Sequence, residues 1–321
     1  MIINSAIYGG KDVTDIVRNK VQNGELSLVV NNEIFGDPQP HVVKFLTINY
    51  NDNKIKSIRE DEALYLADSL KEKEEYPFIS CKCITYGRVD YLEESLESFI
   101  KQDYPGKKEL VIVNDYPLQK LKFDHPDVKI INLDKTFETI GEKENFAVEN
   151  CSAEIIAVWD DDDIAMPIHL RNIAKHFKED SDLLHWHKGV LFNYPNIQAV
   201  TGLGNSGIVY SKKIWRKLGG IPLENAGYDM TFVLDIKRTS SNIVYANPEE
   251  VGWFYMWGGR GYHMSGQGTD TPDRPNVIKR HSDYVEQRRL RGEIPTGEII
   301  LNPNWKIDYK QILQNYLKGT T

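Results

Sequence analysis

Residues 155–163 read Ile155-Ile156-Ala157-Val158-Trp159-Asp160-Asp161-Asp162-Asp163. Five apolar residues run directly into four carboxylates. A short, continuous apolar run is the pattern of a strand buried on both faces, as in a parallel sheet. Such a strand ends at the sheet edge, where open α/β folds place their ligands. Four adjacent carboxylates repel one another, and each makes the next harder to ionise. A divalent cation with oxygen ligands, Mg²⁺ or Mn²⁺, is the simplest offset and is able to carry a phosphate as well. The same residues also read as a solvated acidic turn. An EF-hand loop is excluded, because the alternating Asp pattern and its central Gly are missing.

The chain has 321 residues, enough for one large domain or two smaller ones. It is 40% hydrophobic and 27% charged, ordinary proportions for a soluble globular protein. A net charge of −8 argues against a broad nucleic-acid-binding surface. The three cysteines, Cys81, Cys83 and Cys151, are odd in number and form no CxxC pair, so neither a disulfide framework nor a zinc site is indicated. Cys81 and Cys83 share one face of an expected strand and read as small buried apolar residues of a reducing compartment. The N-terminus lacks a basic region followed by an apolar core, and no run of about 18 apolar residues occurs. A cytoplasmic protein without a membrane span is expected.

Two regions differ in texture. Residues 1–72 carry β-patterned runs at Leu26–Val30 and Val42–Tyr50, punctuated by Asn31-Asn32, Gly36–Pro40 and an expected hairpin turn at Asn51-Asp52-Asn53. A small β-rich accessory module is expected, a structural cap or a binding or oligomerisation unit. The charged segment Lys71–Glu75 ends at Pro77 and reads as a linker. Beyond it strands alternate with helices. Phe78–Thr85, Glu109–Val113 and Val128–Leu133 read as strands. Leu92, Leu96, Phe99 and Ile100 form one helical face, and Asp90 with Glu93 suggests a capping box. Residues 141–150 are expected to be helical. Pro167 suits a first helical turn, with Met166, Leu170, Ile173, Ala174 and Phe177 along one face. This alternation predicts a mostly parallel sheet with helices on both sides.

Within this frame the second region resembles a family 2-type glycosyltransferase with the GT-A fold. The residues that carry the resemblance are Ile84–Arg88, Ser95–Pro105, Glu109–Asp115, Gly141–Ala147 and Trp159–Asp163, in the family's order and at similar spacing. The similarity covers roughly residues 78 to 265. It implies a GT-A catalytic domain over 77–265, preceded by the β-rich module and followed by an extension, 266–321, packing on it.

The resemblance also implies roles. Thr85 and Arg88 fall on the first strand-to-helix loop, where the family holds the nucleotide. Asp115 matches the carboxylate that hydrogen-bonds the base, although the family's acidic pair is here Asn114-Asp115. Lys143 and Asn145 match positions near the diphosphate and ribose; a solvated helix face is the other reading of Lys143. Asp160 and Asp162 are the ends of a DxD motif, with Asp162 the direct metal ligand, Asp160 a ribose or metal-water contact, and Asp163 behind them. Asp229, at the start of a helix after Gly219-Gly220, matches the general base of inverting members, but Tyr228 stands where the family has a second acidic residue. His263 falls where many GT-A enzymes place a third metal ligand, and Arg260 is a phosphate partner in the same Gly-rich stretch. The basic groups Lys279–His281 and Arg288–Arg291 read as a solvated helix face, with contact to an anionic acceptor the other reading.

The expected activity is transfer of a sugar from a nucleoside diphosphate, UDP by family resemblance, to an acceptor hydroxyl, with Mn²⁺ or Mg²⁺ as cofactor and with inversion. The acceptor is left open among a glycan, a protein and a modified nucleic-acid base. Two other readings remain: a nucleotidyltransferase making a nucleotide sugar, for which no basic Gly-rich loop follows the first strand, and a carbohydrate-binding protein with an inactive transferase domain.

Overall fold

The computed structural model describes residues 1–22, 24–51, 54–67, 76–186, 188–193, 196–201, 207–246, 252–256 and 277–319. The chain divides into two compact units, Met1–Glu75 and Tyr76–Thr321.

The first unit is β-rich. One sheet runs in the order Lys11–Asp12, Ile3–Tyr8, Phe45–Tyr50, Lys54–Arg59, and a second in the order Val21–Gln22, Glu25–Val29, Ala63–Ala67. Strand alternation decides which side chains go inside. Leu26 and Leu28, and Leu46 and Ile48, point into one core with Tyr8, Val17 and Phe35, while Phe45 and Val29 stay exposed. The strands on either side of the expected hairpin pair antiparallel, with Tyr50 opposite Lys54. The run expected from Val42 begins as a strand only at Phe45. The linker residues Lys71–Glu75 lie outside the described residues.

The second unit is built on a seven-stranded sheet in the order Val128–Asn132, Lys108–Asn114, Ile79–Thr85, Ile155–Val158, Val209–Ser211, Leu183–Trp186, Ile243–Ala246. The first four strands are parallel, Val209–Ser211 runs antiparallel to both neighbours, and the last two are parallel to each other. Successive side chains of a strand face opposite layers. Cys81, Cys83, Leu110 and Ile112 pack with Leu92, Leu96 and Phe99 on one side. Val111 and Ile156 pack with Val148, Ile214, Phe232 and Ile236 on the other. Each fully buried side chain of this size contributes about 1.5–3 kcal/mol. The three cysteines are buried and unbridged.

Some boundaries differ from expectation. Helix Val89–Ile100 starts without a side-chain cap, with Arg88 at the cap position. Asp90 instead receives Arg288, and Glu93 accepts from the Asn302 N–H, because the C-terminal extension docks on this turn. A capping box does form on helix Ile140–Glu149, between Thr139 and Glu142. Helix His169–His176 begins two residues after Pro167. The extension pairs Gly297–Ile300 in parallel with Gln119–Lys122, and Tyr309 donates to the buried Glu94 at 2.6 Å. The expected solvated basic face is partly wrong. His281 is buried against Tyr86, and Arg288 is ion-paired to Asp90 and Glu293.

Candidate donor and transfer site

Three adjacent parallel strands end together and set the site. Ile79–Thr85 ends at Thr85, Lys108–Asn114 is followed by Asp115, and Ile155–Val158 by Trp159 and the acidic run. Register fixes this edge: Thr85 lies opposite Asn114, and Val158 opposite Lys82.

At the second strand's end, Asp115 is buried between two donors. Phe137 gives its backbone N–H to one carboxylate oxygen at 3.1 Å, and the Lys143 ammonium forms an ion pair with the other. Lys143 also donates to the Thr85 carbonyl at 2.7 Å. Burial lowers the Lys143 pKa and Asp115 works against that shift. Lys143 is therefore no solvated lysine: it locks the ends of two strands together. Tyr86 and Tyr116 pack ring to ring, centroids 4.9 Å apart, and His281 flanks Tyr86.

The acidic run is anchored by its backbone. The Trp159 N–H donates to the Lys82 carbonyl, and the Asp160 carbonyl accepts from Ser95 at 2.8 Å. Asp163 turns inward and accepts from the Met256 N–H at 3.0 Å, tying the run to strand Trp253–Met256. Arg88 lies across Asp161 and Asp162, with Nε 3.1 Å from Asp161 and Nη1 3.0 Å from Asp162. Burial opposes the guanidinium charge, but the facing carboxylates of Asp161 and Asp162 outweigh it and keep Arg88 ionised. Burial, followed by repulsion from Asp162, pushes Asp160 up to about 7, with Lys82 pulling the other way.

These are oxygen donors carrying excess negative charge, a set that fits a hard divalent cation. Among the described residues no group of three or more His, Cys, Asp or Glu is gathered to hold a metal ion. Asp160 and Asp162 are the pair expected to hold one. His263 and Arg260 lie outside the described residues.

The amide of Asn145 is used by the protein itself. It donates to the Ile221 carbonyl at 2.8 Å and accepts from Ile221 N–H and Trp215 Nε1. This side chain, expected near the diphosphate and ribose, ties its helix to segment 215–221. Gly141 strengthens the tie, since a Cβ there would meet the Pro222 carbonyl at 1.9 Å. Segment 221–225 thereby sits on the start of helix Ile140–Glu149, and Asn225 accepts from the Ile140 N–H.

Helix Tyr228–Thr239 opens after Gly227 at φ 74°, a left-handed turn that glycine favours. Asp229 is partly exposed in its first turn, where the helix dipole favours an anion. Beneath it lies a group not anticipated above. Lys82 and Glu144 form a buried ion pair, and the Tyr228 hydroxyl donates to Glu144 at 3.4 Å. Burial, and then the charge of Asp229, pushes the Tyr228 phenol well up. The one sequence signal for this group is the lysine itself, a charge inside a strand whose neighbours Cys81 and Cys83 are apolar.

Comparison with known proteins places this region in a family. Residues 82–217 match the family model described as Glycosyl transferase family 2. YwdF of Bacillus subtilis (strain 168), described as an uncharacterized glycosyltransferase, is 34% identical over 112 residues, 33% of this chain and 40% of that protein. The chain thus spans well under two thirds of the curated relative it matches. Crystal structures of S. aureus TarS residues 1–349 are also similar. The one in complex with UDP-GlcNAc has TM-score 0.49 at 19% identity, covering 75% of this chain and 71% of that one. The one with UDP has TM-score 0.46 at 16% identity, covering 74% and 70%. The central part of this chain, residues 82–217, is a glycosyl transferase family 2 domain.

Proposed function

We propose that the chain is a metal-dependent, inverting glycosyltransferase that moves a sugar from a UDP-sugar to an acceptor hydroxyl. The observation that carries the reading is the shared edge of three parallel strands, which gathers Thr85, Asp115, Arg88 and the run Asp160–Asp162 inside a family 2 domain. Asp115, held by Lys143 and the Phe137 N–H, is the candidate for the base of the nucleotide. Arg88 supplies positive charge beside the phosphates. Asp160 and Asp162 would hold a divalent cation, Mn²⁺ or Mg²⁺, which would supply positive charge toward the departing diphosphate.

Asp229 takes the proton from the acceptor hydroxyl as that oxygen attacks the anomeric carbon. The bond from that carbon to the diphosphate breaks, and its electron pair leaves with UDP. A single displacement inverts the configuration. The Asp229 side chain is free to do this, its one described hydrogen bond being to the N–H of the next residue. Among the described residues no helix is long and apolar enough to cross a membrane. Glycans, proteins and modified bases all offer the required hydroxyl.

The test is UDP release from a panel of UDP-sugars, with Mn²⁺, with Mg²⁺ and with chelator. Slow release from one sugar, abolished by chelator, is expected. No turnover and no metal-dependent binding of any nucleotide sugar would overturn the reading.

A further inference from the structure

The buried pair Lys82–Glu144 takes no part in the reaction as written, yet it lies at its centre. Both side chains are 4% exposed. Lys82 projects from the middle strand of the parallel set, and Glu144 comes from helix Ile140–Glu149. The second Glu144 oxygen receives Tyr228, the residue before Asp229. Lys82 lies opposite Val158, two residues before Asp160, and the charges of Asp160 and Asp229 both act on it. Stability alone does not account for such a pair, because well-packed apolar residues in its place are often neutral or stabilising. An ammonium fixed at this point has a further use: one immobile positive charge between a carboxylate on the donor side and one on the acceptor side.

We propose that Lys82, anchored by Glu144, is a positioning residue of the transfer reaction, the common counter-charge that holds Asp160 and Asp229 in one site. Tyr228 ties the start of the Asp229 helix to the same anchor. The inference rests on the roles given to Asp160 and Asp229 under the proposed function. It makes the two halves of the pair opposite in effect. Lys82 repels a cation arriving at Asp160, and Glu144 attracts it.

The experiment titrates Mn²⁺ into the full chain with UDP present, following free Mn²⁺ by electron paramagnetic resonance, for wild type, Lys82→Met, Glu144→Gln and the double variant. Donor KM, kcat and melting temperature are measured in parallel. Lys82→Met is expected to tighten Mn²⁺ about fivefold and Glu144→Gln to weaken it by a similar factor, from the loss of one nearby charge in each case. The double variant, with no net change of charge, returns close to wild type in Mn²⁺ affinity. It keeps its donor KM but loses about tenfold in kcat, because Asp229 has lost its fixed partner. A scaffold role alone would lower melting temperature in all variants and leave Mn²⁺ affinity unmoved or shifted one way, which overturns the inference. If Lys82→Met does not fold, Glu144→Gln and the charge-neutral double variant still decide it. Wild type that binds Mn²⁺ with UDP while the variants stay unchanged overturns the inference alone. Wild type that binds none overturns the metal site and the inference together.

Discussion

The two units treat charge differently. In Met1–Glu75 the core is apolar, and among the described residues the buried polar side chains are those of Thr14 and Lys44. Lys44 sits at a turn, with Asp37 at 3.0 Å, Glu60 at 3.3 Å and two carbonyls around it. It closes a loop. In Tyr76–Thr321 buried charges are many, and Lys82, Asp115, Lys143, Glu144 and Asp161 crowd toward one edge of one sheet. Taking a charge out of water costs several kcal/mol, and a partner regains only part of it. A fold that needed stability alone would fill such positions as the first unit does. The contrast falls at the edge where the proposed site lies.

Four experiments sharpen or break this contrast. The largest effect is expected from Asp162→Ala, which removes a carboxylate proposed to hold the cation. UDP release should fall by about a thousandfold or more, on the scale of losing a main electrostatic group at a transition state. Activity within tenfold of wild type would mean that the acidic run is architectural. Next comes Lys143→Met. It leaves Asp115 buried beside a single N–H, and breaking a buried pair from one side costs about 3–5 kcal/mol. Chemical unfolding should show that loss and calorimetry a loss of UDP binding. Adding Asp115→Asn should restore much of the stability and none of the binding; recovery of both would reassign Asp115 to structure.

The third effect is on pH. Burial pushes both His169 and His281 down to about 3, from the ordinary 6.5 of an unfolded chain. Both are neutral in the folded protein at pH 6, whereas the unfolded chain takes up a proton on each below 6.5. Stability should therefore fall as pH drops from about 6.5 toward 3, by up to about 1.4 kcal/mol per pH unit for each histidine. Denaturant midpoints over this range check it, and His169→Phe should flatten the dependence, since His169 lies between Trp159 and Trp186. A pH-independent midpoint would contradict buried neutral histidines. The smallest effect on function is expected from Lys44→Met. It should lower the melting transition of the first unit and leave UDP binding unchanged; a loss of binding would give that unit a part in the site.

How much of this could be read from residue order follows from range. The strand before the acidic run was readable because five apolar residues in a row have few other uses. The helix near Leu92 was readable because its period is local, and so was Gly219 as the C-terminal stop of helix Lys212–Leu218, observed at φ 78°. What went unseen depends on distant partners. The expected capping role of Asp90 gave way to Arg288, 198 residues along. Asn145 is occupied by Ile221 and Trp215, and Lys82 is answered by Glu144, 62 residues away. Arg88, expected on the loop that holds the nucleotide, also pairs with Asp161 and Asp162, 73 and 74 residues along. No spacing rule links such pairs. The clue within reach was the anomaly of a lysine in a buried strand, which says that a partner exists without saying where.

The pairing of Gln119–Lys122 with Gly297–Ile300 has a consequence for biosynthesis. The two strands are about as far apart in the chain as any neighbours in the fold, and Trp305 and Tyr309 then seal helix Val89–Ile100. A ribosome has to deliver nearly the whole second unit before that edge is covered. Until then Leu121 and the flank of the first core helix stay open to water and to other chains. The first unit, compact within residues Met1–Glu75, meets no such delay. Nascent chains stalled near residue 290 should therefore show a protease-resistant front and a protease-sensitive rear, and should need chaperone cover more than either finished unit.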